Sequence, residues 1–138
     1  MIAATTLAPG EGAGELLRLD EPLSFWGGLD PATGAIVDRR HPQFGANVGG
    51  RVLMMPAGRG SSSGSAALAE ALRLGVGPAA ILMLKRDAIV IVGALVAREL
   101  YGLACPVALV EAGDWDALSR AGRLAVRAET AGTRIDLG

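Results

Sequence analysis

One cysteine (Cys105), one histidine (His41) and one lysine (Lys85) are all that 138 residues contain of those three types. A lone cysteine excludes an internal disulfide and an all-cysteine metal site. With a lone histidine beside it, the chain is not expected to hold a metal ion or an iron–sulfur cluster by itself. Aromatic residues are as scarce: Phe25, Trp26, Phe44, Tyr101 and Trp115 are the whole set. An excess of one charge is missing too. Thirteen basic and fourteen acidic residues leave a formal charge of −1, and no Lys/Arg cluster exceeds two neighbours. That excludes the basic footprint a phosphate backbone requires, so nucleic acid is not an expected partner. The longest apolar run, Ala88 to Ala97, is half the roughly 20 residues a membrane-spanning helix needs. No charged segment followed by an apolar core opens the chain. The expected protein is soluble and cytoplasmic, with no membrane partner.

What is present is aliphatic. Apolar residues make up 51% and charged residues 20%, and the mean hydropathy is +0.39. This is too apolar for a disordered chain and rather apolar for a free monomer, so part of the surplus is expected to cover a partner. The length suits one domain, residues 1–138, with one core.

Apolar runs alternate with helical patterns. Met1 to Pro9 reads as an entry segment and Glu15 to Leu19 as a first strand. Residues 20–50 carry dense turn signals, among them Glu21-Pro22, Gly27-Gly28, Asp30-Pro31 and Gly49-Gly50, and form a long loop of the functional kind. Arg51 to Met55 reads as a buried strand, Ala66 to Leu74 as a helix stopped by Gly75, and Ala79 to Leu84 as a second buried strand. Asp87 starts a helix over Ala88 to Tyr101 that Gly102 stops. Cys105 to Val110, Gly122 to Ala128 and Thr133 to Leu137 complete the strands. The pattern predicts an α/β fold, a sheet covered on both faces with parallel pairs and antiparallel edges from the first and last strands.

The chemistry-bearing stretch is Gly58-Arg59-Gly60-Ser61-Ser62-Ser63-Gly64-Ser65, between a strand and a helix. Glycines let a ligand approach the main chain, and N–H groups at a helix start favour an anion. The hydroxyls can bind carboxylate or phosphate, or act as nucleophile or base. The plainer reading is a serine-rich cap and linker. The phosphate-binding P-loop pattern fails, because no lysine follows. The nucleophile elbow matches as Gly60-Ser61-Ser62-Ser63-Gly64, but it needs a histidine downstream, and His41 lies upstream. A self-contained hydrolase with Ser62 as nucleophile is therefore disfavoured. A serine activated by Arg59, loop amides and the helix dipole remains. A substrate acidic enough for it must be prepared by groups outside this chain.

Leu23-Ser-Phe-Trp-Gly-Gly-Leu-Asp-Pro-Ala-Thr-Gly34, Asp38-Arg-Arg-His-Pro42, Gly50-Arg-Val-Leu and Gly58-Arg-Gly-Ser-Ser-Ser together resemble the small subunit of the aconitase X family. The resemblance spans most of the chain and implies a swivelling β/β/α domain like the mobile domain of aconitases. In aconitases that domain carries a Gly-Ser-Ser-Arg type loop whose first serine is the catalytic base. By position that serine is Ser61, following Gly60. Ser63 stands where arginine would bind the substrate carboxylate, with Arg59 as the candidate substitute and Ser62, Ser63 and Gly60 as further substrate contacts. The resemblance implies a dehydratase completed by a large aconitase X subunit that holds an iron–sulfur cluster or iron, this chain binding none alone. Archaeal members act on mevalonate 5-phosphate and bacterial ones on cis-3-hydroxy-L-proline. The Ala/Arg/Gly-rich, lysine-poor composition favours the latter hydroxy acid, with Δ1-pyrroline-2-carboxylate as product. A non-catalytic module that grips an anion with the same loop is the alternative from another class.

Other residues carry two readings each. Asp30, Asp38, Arg39, Arg40 and His41 either line the cleft or a subunit interface, or belong to a solvated loop with a locally bonded histidine. Phe25-Trp26 either caps the core or anchors the partner. Cys105 reads as a small buried hydrophobe, and Asp114-Trp115-Asp116 as a capped helical turn.

Overall fold

The computed structural model describes residues 1–138. Seven strands close into a barrel in the order β1-β5-β4-β3-β2-β6-β7. These are β1 (Ile2–Ala8), β2 (Gly10–Arg18), β3 (Val52–Met55), β4 (Ala80–Met83), β5 (Val107–Leu109), β6 (Arg123–Glu129) and β7 (Gly132–Leu137). Strands β2, β3, β4 and β5 run parallel, whereas β1, β6 and β7 join by antiparallel ladders. The helices are an irregular turn α1 (Phe25–Gly28), α2 (Ser63–Arg73), α3 (Ala88–Tyr101) and the short α4 (Trp115–Ser119).

The parallel strands are buried on both faces, so they are apolar at every position rather than at every second one. Leu53, Met55, Ile81, Met83 and Val107 face α2 and α3 together with Leu68, Leu72, Val90 and Ala97. The alternate residues Val52, Met54, Ala80, Leu82 and Ala108 point into the barrel and meet Leu124, Val126 and Ile135, with Trp115 and Leu118 of α4 closing the cluster. The result is three layers: an antiparallel β layer, a parallel β layer and a helical layer. The expected α/β class and the β/β/α layering hold. Helices cover one face of the parallel strands only, since the second β layer covers the other.

Three expectations are corrected. The first segment is not an entry arm but β1, whose partners are β5 and β7, with Ile2 opposite Ile135. The predicted first strand begins earlier, at Gly10, because its glycines serve close approach and not turns. A Cβ on Gly12 would run into the carbonyl of Ala79, and one on Gly14 into that of Gly50. Neither the predicted first strand nor the predicted last one is an edge: the first lies in β2, which pairs with β3 and β6, and the last is β7, which pairs with β6 and with β1 to close the barrel.

α3 spans the predicted residues. Asp87 accepts from the Val90 N–H at 3.1 Å, and Gly102 takes the left-handed conformation at φ 65°. α2 starts three residues earlier than predicted, which moves Ser63, Gly64 and Ser65 from the loop into its first turn. Residues 20–50 are indeed largely irregular, yet they are packed: Leu23, Phe25, Leu29, Ile36 and Val48 are all buried in the helix-side core.

Candidate active-site loop

Because β2, β3 and β4 are parallel neighbours, the segments that leave their carboxyl ends gather at one end of the sheet. Those segments carry Glu21, the Gly58–Ser63 loop and Asp87. In α/β folds, open sheets and barrels alike, loops at the carboxyl ends of parallel strands are where ligands bind.

The loop is shaped by its neighbours. Gly60 has φ 99°, beyond what L side chains adopt readily, and a Cβ there would also strike the Ser24 hydroxyl. Gly58 has ordinary φ, but a Cβ on it would enter the Asp87 carboxylate. Leu23 bridges to Gly58 in parallel, so the Leu23–Trp26 strip forms one wall of the loop. Ser24 Oγ donates to the carbonyl of Trp26 at 2.8 Å and is thereby fixed. Asp87 thus has two contacts, the start of α3 and the back of the serine loop.

The serines divide by environment. Ser61 is exposed, and its Oγ accepts from the Ser63 N–H at 3.1 Å, while its carbonyl accepts from Gly64 N–H at 2.9 Å. No acceptor takes the Ser61 hydroxyl proton among the side-chain hydrogen bonds. Ser62 and Ser63 are exposed, with side chains free of protein partners. Ser65 is different: its Oγ donates to the Ile89 carbonyl at 2.7 Å and pins the first turn of α2 to α3. An oxygen at Ser61 therefore faces an N–H at the positive end of an eleven-residue helix, which favours negative charge on it. Arg59 adds a guanidinium from the same loop, half exposed, with Nη2 3.7 Å from Glu21 Oε1.

Next to the loop lies an apolar groove of about 570 Å³, lined by Phe25, Trp26, Leu29, Pro31, Ala66 and Ala67 among others. Glu70 stands at its rim. Hydrogen bonding to Arg73 holds the Glu70 carboxyl below its ordinary range. The two readings of Phe25-Trp26 split: Phe25 is buried in the core, whereas the Trp26 side chain is 61% exposed over the groove.

The remaining sequence candidates serve the loop architecture. His41 is buried, with Nε2 3.1 Å from the Glu21 carbonyl and Nδ1 accepting from Gln43 N–H at 3.0 Å. Asp30 caps its own turn through Ala32 N–H and Thr33 Oγ1. Asp38 does likewise through Arg40 N–H. Arg39 and Arg40 are both exposed. Cys105 is buried, and desolvation pushes its thiol up to about 12. Sequence reasoning missed Glu21, Ser24 and Asp87 as neighbours of the loop. Only the strand order puts them there.

No three His, Cys, Asp or Glu side chains converge as a metal-binding group. With His41 committed on both ring nitrogens and Cys105 enclosed by apolar residues, the donor set does not fit iron or a cluster. No helix is long and apolar enough to cross a membrane.

Known proteins resemble this one along most of its length. The chain is 46% identical over 108 residues to a cis-3-hydroxy-L-proline dehydratase of Pseudomonas aeruginosa, covering 78% of this chain and 19% of that one. A phosphomevalonate dehydratase small subunit of Methanothermobacter thermautotrophicus is 41% identical over 91 residues, 66% of this chain and 70% of the relative. The chain thus spans about a fifth of the hydroxyproline enzyme and about two thirds of the small subunit. In three dimensions it is similar to the holo-form crystal structure of Thermococcus kodakaraensis aconitase X, with TM-score 0.77, 26% identity, and 96% and 95% of the two chains covered. A UPF0107 protein solved in solution by NMR gives TM-score 0.83 at 32% identity, covering 99% and 98%. The model of the aconitase X swivel domain matches residues 1–135, and the chain belongs to that family.

Proposed function

We propose that this chain is the swivel subunit of a dehydratase, in which Ser61 removes the proton next to the substrate's carboxyl carbon. The observation that carries the reading is the setting of the Ser61 oxygen: exposed, accepting the Ser63 N–H, and with its own proton uncommitted. Helix dipole, loop amides and the Arg59 guanidinium all lower the cost of an alkoxide there. The C–H electron pair becomes the new double bond as the β-hydroxyl departs, and one water is lost overall. Arg59, the Gly60 backbone and the hydroxyls of Ser62 and Ser63 hold the substrate anion. The departing hydroxyl needs an electrophile, and this chain has no donor set for one. In the proposal a large aconitase X subunit holds the iron–sulfur cluster or iron that supplies it.

The preferred substrate is cis-3-hydroxy-L-proline, released as Δ1-pyrroline-2-carboxylate after the enamine tautomerises. Support comes from the 46% identity with the Pseudomonas aeruginosa dehydratase and from the lysine-poor composition. A second reading, mevalonate 5-phosphate, is favoured by the 41% identity with the archaeal small subunit, and the same loop would hold its phosphate.

The test is co-expression with the large-subunit gene and assay of the purified complex on both substrates. Ser61→Ala should lower kcat by about two to four orders of magnitude, the span typical of a lost general base, with KM within about threefold. It should also abolish exchange of the substrate α-proton with D2O. Wild-type kcat in Ser61→Ala would refute Ser61 as the base. A complex inert to both substrates would favour the non-catalytic anion-binding module.

A further inference from the structure

Arg59 already has a partner. Its Nη2 lies 3.7 Å from Oε1 of Glu21, and both side chains are half exposed. The corner that presents Glu21 is anchored from behind. Since His41 Nδ1 accepts from Gln43 N–H, Nε2 carries the hydrogen and donates to the Glu21 carbonyl at 3.1 Å. Gln43 then clasps the adjacent residue, donating to Asp20 Oδ2 at 2.7 Å and accepting from Asp20 N–H at 2.9 Å. Glu21 is therefore offered by a braced turn, whereas Arg59 sits between two glycines. At 3.7 Å the charges attract without a hydrogen bond, and water reaches both. Such a contact exchanges readily.

We propose that Glu21 is the resident counter-anion of Arg59, keeping the guanidinium at the serine loop in the ligand-free chain and yielding it to a carboxylate or phosphate group of the substrate. The inference rests on the reading of Arg59 as substrate ligand given above. The shortest approach, Nη2 to Oε1 at 3.7 Å, is not a hydrogen bond, so the guanidinium donors stay free for a bidentate anion. Glu21 also repels that anion. A ligand must outcompete Glu21, and one that gains contacts from the loop amides as well can do so where a simple anion cannot. Glu21 thereby sets a threshold on what the loop accepts.

The test is a titration of the whole chain with inorganic phosphate, read from the amide signals of residues 60–63 by NMR, a method under which a 32% identical relative has been solved. Removing the competing ion pair, together with the repulsion of a charge roughly 4–6 Å from a bound anion at a wet surface, should tighten binding about three- to tenfold. Glu21→Gln should therefore lower the half-saturating phosphate concentration by that factor, and Arg59→Gln should raise it. Adding Glu21→Gln to Arg59→Gln should have a clearly smaller effect than in the parent, because only the direct repulsion remains to be removed. If Glu21→Gln titrates like the parent while Arg59→Gln is weakened, the counter-anion role is overturned and Arg59 stands as ligand. An equal effect of Glu21→Gln in both backgrounds also overturns it, because the coupling then bypasses Arg59. An unchanged titration in Arg59→Gln, or no response in any variant, removes both the ligand role and its counter-anion.

Discussion

The contact between Gly58 and Asp87 makes a quantitative expectation about how the serine loop is held to the helical layer. Asp87 caps α3 through Val90 N–H, and replacing it with Ala should cost about 1 kcal/mol, as cap losses do. Gly58 has ordinary φ, so Ala is conformationally acceptable there; the obstacle is the Asp87 carboxylate in the space a methyl group would take. Overfilling a packed site costs about 1–3 kcal/mol. If the two losses were independent they would add to about 2–4 kcal/mol. They share one space, however. With the carboxylate gone, the methyl group fits, and the double variant should sit near Asp87→Ala alone, about 1 kcal/mol below the parent. The measurement is a urea double-mutant cycle followed by Trp115 fluorescence, since Trp115 lies in the barrel cluster. Additivity within about 0.5 kcal/mol would refute the reasoning. Gly60 provides the contrast. Ser24→Ala should not rescue Gly60→Ala, because the φ of 99° remains after the hydroxyl is removed.

Two further outcomes test other parts of the molecule. Cys105 should resist alkylation in the native chain and react once urea exposes it. Its thiol pKa is raised by burial, so the stability it contributes is fully present below pH about 9, the unfolded value, and lost as pH rises toward about 12. The loss should run at roughly 1.4 kcal/mol per pH unit, and a Cys105→Ala variant should lack that alkaline slope. His41→Phe fills the volume but strands the Glu21 carbonyl and the Gln43 N–H. It should cost about 1–3 kcal/mol, and restoration of parental stability by Phe would show that those two bonds contribute nothing.

Legibility from sequence followed the range of the interactions. The bounds of α3 were readable because Asp87 and Gly102 act on residues within one turn of themselves. Strands β3 and β4 were readable because burial on both faces makes every position apolar. β1 was not, since Ile2, Thr5 and Thr6 owe their extended state to partners more than one hundred residues away. The early start of β2 was hidden for a related reason: Gly12 and Gly14 carry no strand signal of their own, and they answer the carbonyls of Ala79 and Gly50 crossing beside them. In the loop, the identity of the serines could be read, and their division of labour could not. Whether a serine caps, pins a helix or stays exposed depends on what Ser63 N–H and the Ile89 carbonyl do in space.

The ladder between β1 and β7 sets Ile2 beside Ile135, which brings the first and last strands of the chain to the same seam. A body whose two ends leave at one point can be spliced into another polypeptide as an insert, with little strain on the host. The same seam makes the order of elements negotiable: joining the ends with a short linker and cutting between β6 and β7 at Thr130-Ala131 would rearrange the chain while keeping the ladders described above.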